Sequence, residues 1–204
     1  DDLKAVSMAP RRLQNRQIHP VSPDPKALFD NEADTDFSLS QNRKWAEEIA
    51  FHWKTAQPKP IPLVIGGKEL FDNEEGVGHD PNGHVKQLYI HTKAHKHHID
   101  EALKCAKAHE KNWASTTVEH RSQLLARAAQ KMRERRGEII GAMMIDGGKP
   151  IAESDPEVSE AIDFAEYYRR QMEKKSQIRH PGVRRLEFRC APLWRPKSGF
   201  PLPW

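Results

Sequence analysis

Ser154-Asp155-Pro156-Glu157-Val158-Ser159-Glu160-Ala161-Ile162-Asp163-Phe164-Ala165-Glu166-Tyr167-Tyr168 decides how the rest of the chain is read. Val158, Ile162, Ala165 and Tyr168 recur at steps of three and four, which places them on one face of a helix. Ser154 with Glu157 has the form of a capping box, and Pro156 suits a first helical position, where its missing N–H has no partner to lose. The sequence therefore predicts a helix opening near Ser154 and burying those four residues.

Upstream, the same punctuation repeats. Gly147-Gly148 closes a segment from Glu138 to Asp146 that carries Ile139, Ile140, Met143 and Met144. Thr116 with Glu119 forms a second capping box ahead of an apolar stripe of Leu124, Leu125, Ala128 and Met132, with Gly137 as its left-handed cap. Ile99, Leu103, Ala106 and Trp113 mark another helix, and Trp45, Ile49 and Trp53 a short one over Ser40 to Lys54. Leu63-Val64-Ile65 reads as a short buried strand entering a turn at Gly66-Gly67. Val85 to Thr92 is strand-like behind the turn Asp80-Pro81-Asn82-Gly83. The two strands flank a Gly-rich acidic loop and are expected to pair as a hairpin or as edge strands. Residues 1–36 show no sustained period and read as a connector.

The expected fold class is α/β, mostly helical within this chain, with a few short β-strands. Each helix is polar on its far face, so together they form one layer that needs an apolar sheet to lie on. The expected division is 1–60, a connector with one amphipathic helix; 61–173, the structured domain portion that holds the strands and the remaining helices; and 174–204, a basic Pro-rich tail, aberrant or disordered.

Composition narrows the classes. The chain has 204 residues, 37% hydrophobic and 30% charged, with a mean hydropathy of -0.83. No apolar run approaches the roughly 18 residues of a membrane span, and no secretory signal is visible. The net charge of +4 hides an asymmetry: residues 174–204 hold eight of the 33 Lys and Arg against a single acid, Glu187. Two cysteines, Cys105 and Cys190, are too few for a disulfide framework and fit a reducing compartment.

Candidate chemistry is thin. His91, His95, His97 and His98 lie close in sequence, but no Cys, Asp or Glu at ligand spacing completes a metal set, so a wet surface is the expectation and no metal is assigned. Cys105 falls between Leu103 and Ala106 on a helix and reads as packing, while no base partners Cys190. Gly66-Gly67, Gly76-x-Gly78 and Gly147-Gly148-Lys149 lack a phosphate-binding pattern and read as turns or helix ends. The run Arg133-x-Arg135-Arg136, like the tail, has the charge to bind phosphate backbones, with a solvated helix end as the blander reading of the run. No catalytic and no cofactor-binding residue is assigned.

The order of the segments is nevertheless specific. From Ile65-Gly66-Gly67-Lys68 through Asp80-Pro81-Asn82-Gly83, Ile99-Asp100-Glu101-Ala102, Glu119-His120-Arg121 with Leu124-Leu125, Gly148-Lys149-Pro150, and Glu157 to Phe164 with Tyr167-Tyr168, the chain resembles the N-terminal part of an aldehyde dehydrogenase. Phe29 to Phe37 followed by Asn42-Arg43-Lys44-Trp45-Ala46 looks like the connector of bifunctional proline-catabolic enzymes of the proline utilization A type. The resemblance implies an NAD-dependent oxidation of L-glutamate γ-semialdehyde to glutamate, by a cytoplasmic, homo-oligomeric parent without a nucleic-acid partner.

In that family a Cys thiolate attacks the aldehyde, an Asn holds the oxyanion and a Glu activates water. The Cys and Glu lie beyond the part that this chain resembles, and neither Cys105 nor Cys190 matches the nucleophile's motif. Where the Asn is expected stands Arg195 in one alignment and Gly199 in the other. The implied entity is an N-terminal fragment, inactive alone, with an aberrant tail. The competing reading is a basic helical module that binds nucleic acid or a protein partner through residues 174–204.

Overall fold

The computed structural model describes residues 13–24, 27–56, 59–81 and 87–177. Helix α1 (Ser40–Thr55) is followed by four short strands, β1 (Leu63–Ile65), β2 (Lys68–Leu70), β3 (Glu75–His79) and β4 (Gln87–Thr92). Four helices complete the order: α2 (Lys96–Ala114), α3 (Val118–Glu134), α4 (Arg136–Gly147) and α5 (Ile151–Gln177).

The core is where α1, α3, α4 and α5 meet, with Ile49, Ala129, Ile140, Val158 and Ile162 buried and Trp45, Trp53, Met132 and Met143 packed around them. Two glycines one turn apart on α4 let α1 approach. A methyl on Gly137 would lie 3.0 Å from Ile49 Cδ1, and one on Gly141 would sit inside the Trp53 indole. Gly137 is thus a packing position inside a helix, not the expected left-handed cap. Arg135, with φ of -105°, closes α3 instead, while Gly148, with φ of 65°, ends α4 where the Gly147-Gly148 pair was expected to.

Helix α5 begins earlier than its sequence suggests. Pro150 O accepts from the N–H groups of Glu153 and Ser154, both at 3.0 Å, so Ile151 opens the helix and Pro156 lies inside it. The Ser154 hydroxyl donates back to Pro150 O and forms no capping box. The buried stripe of α5 also departs from expectation. Val158 and Ile162 are buried, but the stripe runs on through Glu166 and Arg169 while Tyr168 is 60% exposed. At α3 the cap is Thr117, accepting from His120 N–H, one residue beyond the expected Thr116. The buried face also differs from the expected stripe: Ala129 is buried, Leu124 and Met132 are half-buried, and Leu125 and Ala128 are exposed.

The two expected strands, β1 and β4, do not pair with one another: β2 and β3 arise inside the Gly-rich acidic loop between them, and the four form two antiparallel hairpins. Gly66 and Gly67, with φ of 59° and 78°, make the two-residue turn between β1 and β2 that such geometry requires. Strand β1 is half-exposed, with Val64 facing outward, and not buried as expected. Its neighbour Ile61 bridges His91 of β4 in parallel, through Ile61 N–H to Ile90 O at 2.8 Å. Gly76 and Gly78 are strand positions rather than turns. The rings of His91 and Tyr89 lie across them where side chains would otherwise stand.

The connector is clipped along α5 by two carboxylates. Asp163 accepts from Glu32 N–H and the Asn31 side chain, both at 2.7 Å, and Asp155 accepts from Thr35 N–H and hydroxyl, both at 2.6 Å.

Candidate functional site

Three groupings of chemically capable side chains emerge. The largest is ionic and links the connector to α3, α4 and α5. Arg133 Nε donates to Glu32 Oε2 at 2.7 Å and its terminal nitrogen to Glu166 Oε1 at 3.2 Å. Arg136 reaches Asp155 Oδ1 at 2.8 Å and Ser159 Oγ at 3.1 Å, and Arg169 holds Glu166 Oε2 at 2.7 Å. Three guanidiniums and three carboxylates thus neutralise one another in a largely dry setting. The arginines read from sequence as a solvated helix end are therefore divided. Arg133 and Arg136 are buried in pairs, and only Arg135 is exposed, beside Glu138. Their partners lie 19 to 104 residues away, beyond the reach of any local pattern.

A cleft of about 410 Å³ opens beside this network, bounded by Arg16, Ile18, His19, Trp45 and Gly137. Burial and the nearby Arg136 charge lower the pKa of Arg16, whose Nε donates to Thr35 Oγ1 at 3.0 Å. The guanidiniums here are spent on protein acceptors, and no nucleophile and base stand together on its wall.

The second grouping is Cys105 with His109, one turn apart on α2. Their Sγ and Nδ1 are 3.8 Å apart, while the same Nδ1 lies 2.9 Å from Cys105 O. A proton on Nδ1 donated to that carbonyl leaves no lone pair there to activate the thiol. Cys105 instead packs under Gly66, where an added methyl would lie 3.4 Å from Sγ. Cys190, Arg195 and Gly199 lie outside the described residues.

The third grouping is histidine-rich. His95 precedes the first turn of α2, His97 and His98 lie within it, and the β2–β3 loop brings Asp72 and Glu74 opposite. These are the carboxylates whose absence from the local sequence argued against a ligand set. His91 stands apart over Gly76.

The glycine pairs are used structurally, as the β1–β2 turn, the cross-strand platform and the α4 cap. The free apolar surface of the described residues is more telling. Ile99, Leu103 and Trp113 on α2 are exposed, as are Phe164, Tyr167 and Tyr168 on α5. The α5 aromatics form a continuous patch, with ring centroids 5.6 and 6.0 Å apart.

A layer of helices with uncovered apolar faces beside small antiparallel hairpins defines part of an α/β architecture. Residues 73–192 match the aldehyde dehydrogenase family, and the chain belongs to that family. It is 35% identical over 144 residues to a 1-pyrroline-5-carboxylate dehydrogenase of Oceanobacillus iheyensis, covering 71% of this chain and 28% of that protein. A Geobacillus protein of the same name is 37% identical over 146 residues, again over 28% of its length. Among solved structures, the 1-pyrroline-5-carboxylate dehydrogenase from Thermus with bound NAD superposes with a TM-score of 0.70 at 30% identity, over 79% of this chain and 31% of that one. Proline utilization A from Bdellovibrio bacteriovorus gives a TM-score of 0.70 at 28% identity, over 74% and 16%. The chain thus spans under a third of the length of these relatives. No described helix is long and apolar enough to cross a membrane.

Proposed function

We propose that this chain supplies the amino-proximal scaffold of an NAD-dependent L-glutamate γ-semialdehyde dehydrogenase of proline catabolism. The observation that carries the reading is the exposed aromatic pair Phe164 and Tyr168 on α5, beside Tyr167 against which Phe29 packs, together with exposed Ile99 and Leu103 on α2, in a chain similar to 1-pyrroline-5-carboxylate dehydrogenases. Apolar side chains at helical spacing are expected to be covered, and the missing cover in this reading is the remainder of the dehydrogenase domain.

Attack on the aldehyde needs a thiolate, and release of the acid needs a base to activate water. Cys105, with its neighbouring imidazole committed to a carbonyl, supplies neither. The chain's own residues instead hold the connector on α5 and hold the hairpins against the helices. Tyr89 O–H donates to Asp146 Oδ1 at 2.7 Å across the hairpin–helix junction, and that bond raises the tyrosine's pKa. A cytoplasmic setting, a homo-oligomeric parent and NAD as the hydride acceptor belong to the same reading and rest on the family resemblance.

Two assays test it. The purified chain with NAD and L-glutamate γ-semialdehyde is expected to form no NADH, and turnover above background would overturn the scaffold assignment. A chimera in which residues 59–177 replace the matching segment of a similar 1-pyrroline-5-carboxylate dehydrogenase is expected to fold and to oxidise the semialdehyde. A folded but inactive chimera would count against the reading.

A further inference from the structure

We propose that Asp72, His97 and His98 form a binding site for a divalent first-row transition metal, zinc being the best fit, at the junction of the β2–β3 loop and the start of α2. One ligand atom from each of the three lies within 4.8 Å of the other two. Around them His98 Nε2 is 3.7 Å from Asp72 Oδ2, His95 Nε2 is 3.7 Å from the same oxygen, and His95 Nε2 is 3.4 Å from Glu74 Oε2. These separations are too long for hydrogen bonds. They are close to the edge of a tetrahedron with metal–ligand bonds of about 2.0–2.1 Å, which is roughly 3.4 Å. Two imidazoles and one carboxylate therefore face a common point, with the His95–Glu74 pair beside it, and imidazole with carboxylate is a donor set that suits zinc. The fourth position of the tetrahedron is left to water.

His98 is 7% exposed, and its ring is already oriented. Its Nδ1 accepts from His95 N–H at 3.1 Å, so in the neutral ring the proton sits on Nε2, the nitrogen that faces Asp72. Metal binding takes the Nε2 lone pair, moves that proton to Nδ1 and releases the His95 N–H to solvent. The ring gains and loses no proton overall. His97 is exposed and free to swing onto the ion. The site is independent of the dehydrogenase reading, because it stands on the hairpin and the α2 start alone.

The test uses the full chain with zinc chloride by calorimetry and with cobalt(II) by visible absorption. One strong site with the absorption of tetrahedral cobalt is expected. His97→Ala and Asp72→Asn should each weaken it by roughly tenfold or more. His120→Ala, an exposed histidine on α3, should leave it unchanged. Nitrogen-15 spectra should show His98 passing from the Nε2–H to the Nδ1–H tautomer on zinc addition. Absence of cobalt absorption at stoichiometric metal, affinity that survives both ligand substitutions, or zinc binding without the His98 tautomer change would each overturn the proposal. Unchanged melting of the metal-free variants separates loss of a ligand from loss of the fold.

Discussion

Arg136 is the residue on which most depends. Its side chain is 3% exposed and bound to Asp155 and Ser159, with Glu32 nearby. Removing one member of a buried charge set strands the others without water or counterion. Arg136→Met is expected to destabilise the chain by about 3–5 kcal/mol, read as a lower denaturation midpoint in urea. The glycines of α4 give a sharper contrast. Gly141→Ala drives a methyl into Trp53 and should cost about 1–3 kcal/mol. At Gly147 the new methyl would meet only Lys149 Cγ at 3.7 Å, so Gly147→Ala should be neutral or slightly stabilising in the same titration.

At the scale of elements, the helix ends were legible to within a few residues, and their capping chemistry was not. Two threonines precede α3, and sequence favoured Thr116 because Glu119 stands three residues on. The Thr116 hydroxyl instead donates to Trp113 O at 2.7 Å and accepts from Arg121 Nε at 2.8 Å, which frees Thr117 to cap. Thr117→Ala should therefore lower stability by about 1 kcal/mol, whereas Glu119→Ala should shift it by under about 0.5 kcal/mol. A larger loss from Glu119→Ala would restore the capping box. Strands β2 and β3 escaped notice for a different reason. Glycine and charged residues are poor strand formers; β2 is set by the Gly66-Gly67 turn back onto β1, and in β3 the rings of Tyr89 and His91 cover Gly76 and Gly78.

For the whole molecule, five apolar side chains are buried among the described residues, and sixteen large hydrophobic ones are exposed. Burying each of the four Ile and Val side chains contributes about 1.5–3 kcal/mol and the Ala129 methyl about 0.8 kcal/mol or less, so the core is thin for a chain of this length. The isolated chain should bind a hydrophobic dye and self-associate with concentration. Phe164→Glu together with Tyr168→Glu should reduce both without lowering the melting temperature, as followed by fluorescence and sedimentation. A large drop in melting temperature would show that this face is already packed within the chain.

Sequence alone determined the helical layer, the order of its segments, the Gly66-Gly67 turn and the family, because periodicity and turn chemistry are local and survive without their surroundings. Tertiary structure decided what the charged residues do. Arg133 and Arg136 became an interior network, and Asp72 and Glu74 came to face the histidines, because those partners lie tens of residues apart along the chain and meet only when it folds.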